Sequence, residues 1–213
     1  MIHIQQLNRF IKSFFRRIKR GEFLTAIYLS YFYSYLYVYD LINRTNFTNS
    51  QTPEEGGVPS GGTGNFPAHP RIVRLLIAKS GLDINSNILD VGSGSGIVLF
   101  VADKLGYKYL TGVEFSRNAF EISRCNLKPE IELINKNALD VEMSIYDAIF
   151  FFSPFRGNLA VDFFKKLPPN IKKIIAVNYD RKIDPLLQNL GFTPSYCYQH
   201  IVYKNFNAKI FQR

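Results

Sequence analysis

Between Pro70 and Leu190, short aliphatic runs alternate with stretches of helical periodicity, and this alternation constrains the fold more than any other feature. The aliphatic runs fall at 87–91, 109–114, 131–135, 146–152 and 173–178. The helical stretches fall at 72–80, 97–105, 116–126, 159–167 and 186–190, with Gly81 and Gly106 as stops and Ser116 as an N-cap. Strands that are apolar nearly throughout, joined by helical crossovers, predict a parallel sheet covered on both faces. From Phe192 onward Tyr196, Tyr198, Ile201 and Tyr203, then a polar Lys204-Asn205 and an apolar 208–211, predict an antiparallel edge hairpin. The expected architecture is α/β: a Rossmann-like, doubly wound, mostly parallel seven-stranded sheet with that hairpin, preceded by an N-terminal helical extension.

The first strand runs into Asp90-Val91-Gly92-Ser93-Gly94-Ser95-Gly96, which opens a helix. A ligand placed there meets backbone N–H groups closely, because glycine has no Cβ in the way. A dinucleotide fingerprint would put its third glycine at position 97; that residue is Ile97, and the third glycine comes one place early. Asp90 would repel a pyrophosphate and would favour a ligand with a cationic end.

This D-x-G-x-G-x-G after a first strand resembles motif I of the class I S-adenosylmethionine-dependent methyltransferases, over roughly residues 66–213. The resemblance implies S-adenosyl-L-methionine as cofactor. It places Asp90, Gly92, Ser93, Gly94 and Gly96 around the methionine part. Glu114, 22 residues after Gly92 and followed by Phe115, would accept from the ribose hydroxyls. Asn137 and Ala138 stand where the family contacts adenine, and a turn-forming Asn137 is an equal reading. After the fourth strand, Ser153-Pro154-Phe155 is similar to the Asn-Pro-Phe segment that positions the acceptor in nitrogen-methylating members, with Ser153 in place of Asn. Ser153, Pro154 and Phe155 are the candidate catalytic residues; Arg156 beside them could hold an anion or be solvated, and Phe155 could equally be packing. Phe66-Pro67-Ala68-His69-Pro70 loosely resembles a segment before motif I in some small members, where His69 is either a contact or structural.

Residues 1–20 carry Arg9, Lys12, Arg16, Arg17, Lys19 and Arg20 and no acid, so most of the net charge of +9 sits there. Ile4, Leu7, Ile11, Phe14, Phe15 and Ile18 recur at helical spacing within the same stretch. Such a helix could pack on the domain or dock on an anionic membrane surface; both readings stand. Phe23 to Tyr39 holds 17 uncharged residues with six tyrosines, too short and too phenolic for a membrane span. Helix is preferred there over a strand with alternating tyrosines. Residues 43–68, with five glycines, read as a linker or an active-site lid. The expected division is therefore a basic, aromatic extension at 1–42, a linker or lid at 43–68 and a methyltransferase domain at 69–213.

With 46% hydrophobic residues the chain can build a core, which excludes a disordered or fibrous protein. Two distant cysteines, Cys125 and Cys197, fit reduced thiols in the cytoplasm, with peripheral attachment at the inner membrane face as an option. No metal site is expected. In-line methyl transfer needs positioning rather than a covalent nucleophile. The implied function is methylation of N or O on a protein side chain or small molecule. Alternatives are an inactive cofactor-binding module held at a membrane or nucleic acid, and an RNA methyltransferase, which the modest basic excess outside residues 1–20 disfavours.

Overall fold

The computed structural model describes residues 2–58, 60–201 and 206–213, with side chains described from Ile11 onward in the first helix. Seven strands form one sheet: β1 (Asn87–Val91), β2 (Tyr109–Glu114), β3 (Glu132–Asn135), β4 (Ala148–Phe152), β5 (Lys173–Val177), β6 (Thr193–Gln199) and β7 (Asn207–Gln212). Their order is β3-β2-β1-β4-β5-β7-β6, parallel through β5, with β7 antiparallel to β5 and to β6. The expected doubly wound sheet with an antiparallel hairpin is what forms. At the edge β6 is outermost and β7 returns between β5 and β6, antiparallel to both. Tyr203, Lys204 and Asn205 of the expected hairpin lie outside the described residues, as do the side chains of Ile4, Leu7 and Arg9.

Helices α3 (Pro70–Ser80), α4 (Ile97–Lys104), α5 (Arg117–Asn126), α6 (Asn158–Lys165) and α7 (Asp184–Asn189) cover the faces. α3 begins two residues earlier than periodicity suggests. Pro70 needs no N–H partner in the first turn, and the His69 Nδ1 accepts the Arg71 N–H at 3.2 Å. β4 begins at Ala148 rather than at residue 146, because Tyr146 is buried through its side chain while its neighbour Asp147 turns the chain. Its carboxylate accepts the Asn87 N–H at 3.0 Å and its carbonyl accepts the Lys172 N–H at 2.8 Å.

Two apolar clusters sandwich the sheet. One gathers Leu89, Val91, Ile149 and Phe151 with Phe163 and Phe164 of α6. The other joins Ile88, Phe150, Ile175 and Ile210 to Leu76 of α3 and Leu99 of α4.

The N-terminal segment forms α1 (Ile2–Lys19) and α2 (Phe23–Asn43), so the helix preferred for the tyrosine run is what forms, and the strand alternative falls away. Ala26, Phe32, Leu36 and Asp40 fall on one side of α2 and are buried. Phe32 and Leu36 belong to the same cluster as α3, α4 and β5. α2 stops where Arg44 turns left-handed at φ 57°, and buried Asp40 organises the chain just beyond that turn. The Asp40 carboxylate accepts the Thr45 hydroxyl at 2.8 Å and the Phe47 and Thr48 N–H groups at 2.9 Å each. Fully buried Phe47 then packs edge-on to Phe100 of α4.

Candidate functional site

The strand order reverses between β1 and β4, and at such a switch point loops leave in opposite directions and open a crevice at the carboxyl ends of the strands. The glycine loop fills this position. Gly92, Gly94 and Gly96 have φ of 68°, 55° and 88°, a region costly for residues with a Cβ. A Cβ on Gly92 would stand 2.3 Å from the Pro154 Cβ, so the loop after β1 and the loop after β4 touch only because position 92 has no side chain. Gly96 sits at the start of α4 against Leu127 and helps close the turn without facing the cleft.

The second acidic residue ties the parts together. Glu114, at the end of β2, accepts the Gly94 N–H at 2.8 Å through one oxygen and the Ser116 N–H at 2.7 Å through the other. Burial pushes its carboxyl up from the ordinary range, and these backbone donors pull in the opposite direction. Each oxygen keeps a further acceptor direction for a ligand. Asp90 lies deeper. It is buried, neither oxygen has a partner, and burial with Glu114 nearby raises its pKa well above the usual value. The Ser93 and Ser95 hydroxyls are likewise buried without partners. Unsatisfied polar atoms of this kind are costly, and their gathering under a glycine loop marks a place shaped for a ligand that donates hydrogen bonds and carries positive charge.

Asp90, Gly92, Ser93, Gly94, Glu114, Phe115, Asn137, Ala138, Pro154 and Phe155 all line this one cleft. The Asn137 side-chain oxygen caps a 3-10 turn (Ala138–Asp140) by accepting the Leu139 N–H at 3.0 Å, so the turn-forming role is present at the cleft wall. Phe155 both faces the cleft and packs on Phe151, ring centroids 5.2 Å apart. Ser153 is buried beside the cleft rather than in its wall. Its φ is 44°, its carbonyl accepts the Thr63 hydroxyl at 2.5 Å, and its hydroxyl accepts Arg156 Nε–H at 3.3 Å. His69, stacked on Tyr35 at 4.8 Å, caps α3 and lies outside the cleft.

The 43–68 segment closes over the site. Gly62 bridges Phe155, the Thr63 N–H donates to the Pro154 carbonyl at 2.9 Å, and the Arg156 N–H donates to the Gly61 carbonyl at 2.8 Å. The Asn65 side chain donates to the Asn49 carbonyl at 3.0 Å, and its oxygen lies 2.4 Å from where a Gly94 Cβ would be. Gln51, Thr63, Asn65 and Lys136 are wall residues that sequence patterning passes over. Asn178, with φ 49° just after β5, is another residue that patterning misses. Positive φ at Ser153 and Asn178, each following a strand of the β4–β5 pair, is a strain of a kind concentrated at working sites.

No family model matches the chain. It is 30% identical over 142 residues to a ribosomal protein L11 methyltransferase of Dictyoglomus turgidum, covering 61% of this chain and 44% of that protein. A ribosomal protein L11 methyltransferase of Thermotoga neapolitana is 33% identical over 88 residues, 41% of this chain and 30% of that one. The chain thus spans less than half the length of these curated relatives. Among solved structures, a ribosomal protein L11 methylase of Lactobacillus delbrueckii subsp. bulgaricus superposes with a TM-score of 0.58 at 21% identity, covering 70% of this chain and 80% of that one. The magnesium protoporphyrin IX methyltransferase of Synechocystis PCC 6803, solved with bound SAM, gives 0.52 at 12% identity over 67% and 76% of the two chains. The chain therefore has the fold of these methyltransferases and is similar in sequence, over part of its length, to ribosomal protein L11 methyltransferases.

Proposed function

We propose that the chain is an S-adenosylmethionine-dependent methyltransferase acting on N or O of a protein side chain or small molecule. The observation that carries this reading is the cluster of unpartnered buried groups, Asp90, Ser93 and Ser95, under a loop whose glycines permit close approach. When bound, the cofactor supplies an electrophilic methyl group on a cationic sulfur. Asp90 offers a carboxylate to its ammonium end, and Glu114 has acceptor directions left for ribose hydroxyls. Phe115 and Asn137 stand at the cleft wall where a purine would lie. Pro154 and Phe155, set by the bridge to Gly62, face the same cleft from the acceptor side, with Ser153 and Arg156 behind them. The chemistry asks these residues to hold two reactants in line and to exclude water, and no covalent nucleophile is required.

The cleft as closed holds about 100 Å³, below the roughly 300–1,000 Å³ usual for small-molecule sites, which supports segment 51–66 as a lid that moves outward to admit ligands. Calorimetric titration with S-adenosylmethionine tests the assignment, and incubation with labelled cofactor and fractionated lysate separates an enzyme from an inactive binding module, which labels nothing.

A second reading concerns where the protein works. No helix among the described residues is long and apolar enough to cross a membrane. Yet α2 is apolar on both sides: opposite its buried face, Leu24, Ile27, Val38, Leu41 and Ile42 are between 52% and 75% exposed. Lys12, Arg16, Lys19 and Arg20 of the preceding segment carry positive charge beside it. That pairing of apolar face and cations supports docking of residues 1–42 on an anionic membrane surface, at the cytoplasmic face.

A further inference from the structure

A groove of about 1180 Å³ runs between the N-terminal helices and the ends of β4 and β5, separate from the glycine-loop cleft but meeting it. Gln51, Phe66, Pro67 and Phe152 line both. Along α2 its wall is Leu29, Phe32, Tyr33, Tyr37 and Val38, with Phe206 on another side. Burial pushes the Tyr28 phenol in this wall up to about 12, so it stays neutral. Arg16, Arg17 and Arg156 also line the groove, and among the described residues no acidic side chain does. Arg17 is matched by Glu22 at 2.6 Å, which leaves Arg16 and Arg156 to set the sign of the charge. His69 at the wall is held neutral above about pH 4 and adds none.

We propose that this groove binds an amphiphile with one long apolar chain and a phosphate head, the chain lying along α2 and the head taken by Arg16 and Arg156. The apolar and aromatic part of the lining fits a hydrocarbon chain, and the hydroxyls of Ser13, Ser30, Ser34, Thr48, Ser50 and Thr52 can meet the polar part of an amphiphile. Charge complementarity selects an anionic head. Tyr37 and Val38 belong both to the groove and to the exposed face of α2, so the groove is continuous with the surface a bilayer would cover, and a lipid can enter without crossing water. The groove meets the glycine-loop cleft at Phe66, Pro67 and Phe152, so a bound amphiphile lies next to the site of the proposed methyl transfer, a relation that rests on the methyltransferase reading.

The chain contains no tryptophan, so Leu29→Trp, or Tyr33→Trp where the first perturbs folding, reports on the groove alone. With 1-oleoyl lysophosphatidate below its critical micelle concentration, Trp emission is expected to shift to the blue and saturate. Inorganic phosphate is expected to give no shift. Lysophosphatidylcholine should bind at least tenfold more weakly, and Arg16→Gln with Arg156→Gln should remove that preference. No shift with either folded reporter, saturation by phosphate alone, or equal binding of the zwitterionic lipid overturns the proposal. Calorimetric titration of the same folded variants with S-adenosylmethionine keeps the two readings apart. Cofactor binding without lipid binding overturns the groove assignment, and lipid binding without cofactor binding overturns the methyltransferase reading.

Discussion

The Glu114 carboxylate accepts the Gly94 N–H at 2.8 Å, which couples the end of β2 to the glycine loop after β1 before any ligand arrives. Its other oxygen accepts the Ser116 N–H at the start of α5. Glu114→Ala leaves two backbone donors without an acceptor, at about 1–3 kcal/mol each where water cannot replace it. The expected outcome is a fall in Tm of roughly 4–24 °C in calorimetric melting, with Glu114→Gln, which keeps one acceptor oxygen, falling less.

Ser153 holds φ 44° between β4 and the Pro154 contact to Gly92. Glycine occupies that region without strain, so Ser153→Gly is expected to keep or slightly raise Tm, by up to about 1 kcal/mol of relieved strain. It also removes the acceptor of the Arg156 Nε–H. Turnover should therefore fall while the fold is kept; a loss of Tm in step with turnover would place Ser153 in packing alone.

His69 is held down to about 4, by burial first and then by Arg71 and His200. The native state thus refuses a proton that the unfolded chain takes up below about 6.5, so stability is full above that pH and is lost as pH falls toward 4, at about 1.4 kcal/mol per unit where steepest. Asp90, raised by burial, acts in the opposite sense. His69→Asn keeps an acceptor for the Arg71 N–H and removes the titration. Melting curves at pH 7 and pH 5 should show a smaller loss in the variant than in the parent.

The two sides of α2 should respond oppositely to substitution. Leu36 is fully buried, and Leu36→Ala is expected to cost about 2–5 kcal/mol. Leu24→Ser with Leu41→Ser, on the exposed side, should leave stability within about 0.5 kcal/mol of the parent and reduce co-sedimentation with phosphatidylglycerol vesicles. Unchanged vesicle binding in that variant would count against surface docking.

β1 and β2 are legible to the residue, because each is an aliphatic run bounded by turn-forming residues and paired in parallel along its whole length. The glycine loop, Asp90 and Glu114 are legible for a related reason: their chemistry is carried by residue type at fixed spacing along consecutive elements. Segment 43–68 is not. Its order comes from distant partners, Asp40 beneath Phe47 and Thr48, Asn126 accepting the Asn46 N–H, and Phe155 bridging Gly62, and no local pattern encodes them. Asn178 is equally hidden: the pattern includes it in the strand run 173–178, whereas β5 ends at Val177 and Asn178 turns left-handed beside the groove. The groove itself depends on how α2 lies against the sheet, which periodicity leaves undetermined.

In the proposed function, Asp90 and Glu114 hold S-adenosylmethionine at the glycine loop. Calorimetric titration of the full chain, of Asp90→Asn and of Glu114→Gln tests it most directly, with melting curves showing each variant folded. One site per chain is expected in the parent, with at least tenfold weaker binding in each variant. Absence of binding to the parent, or undiminished binding in both folded variants, would contradict it.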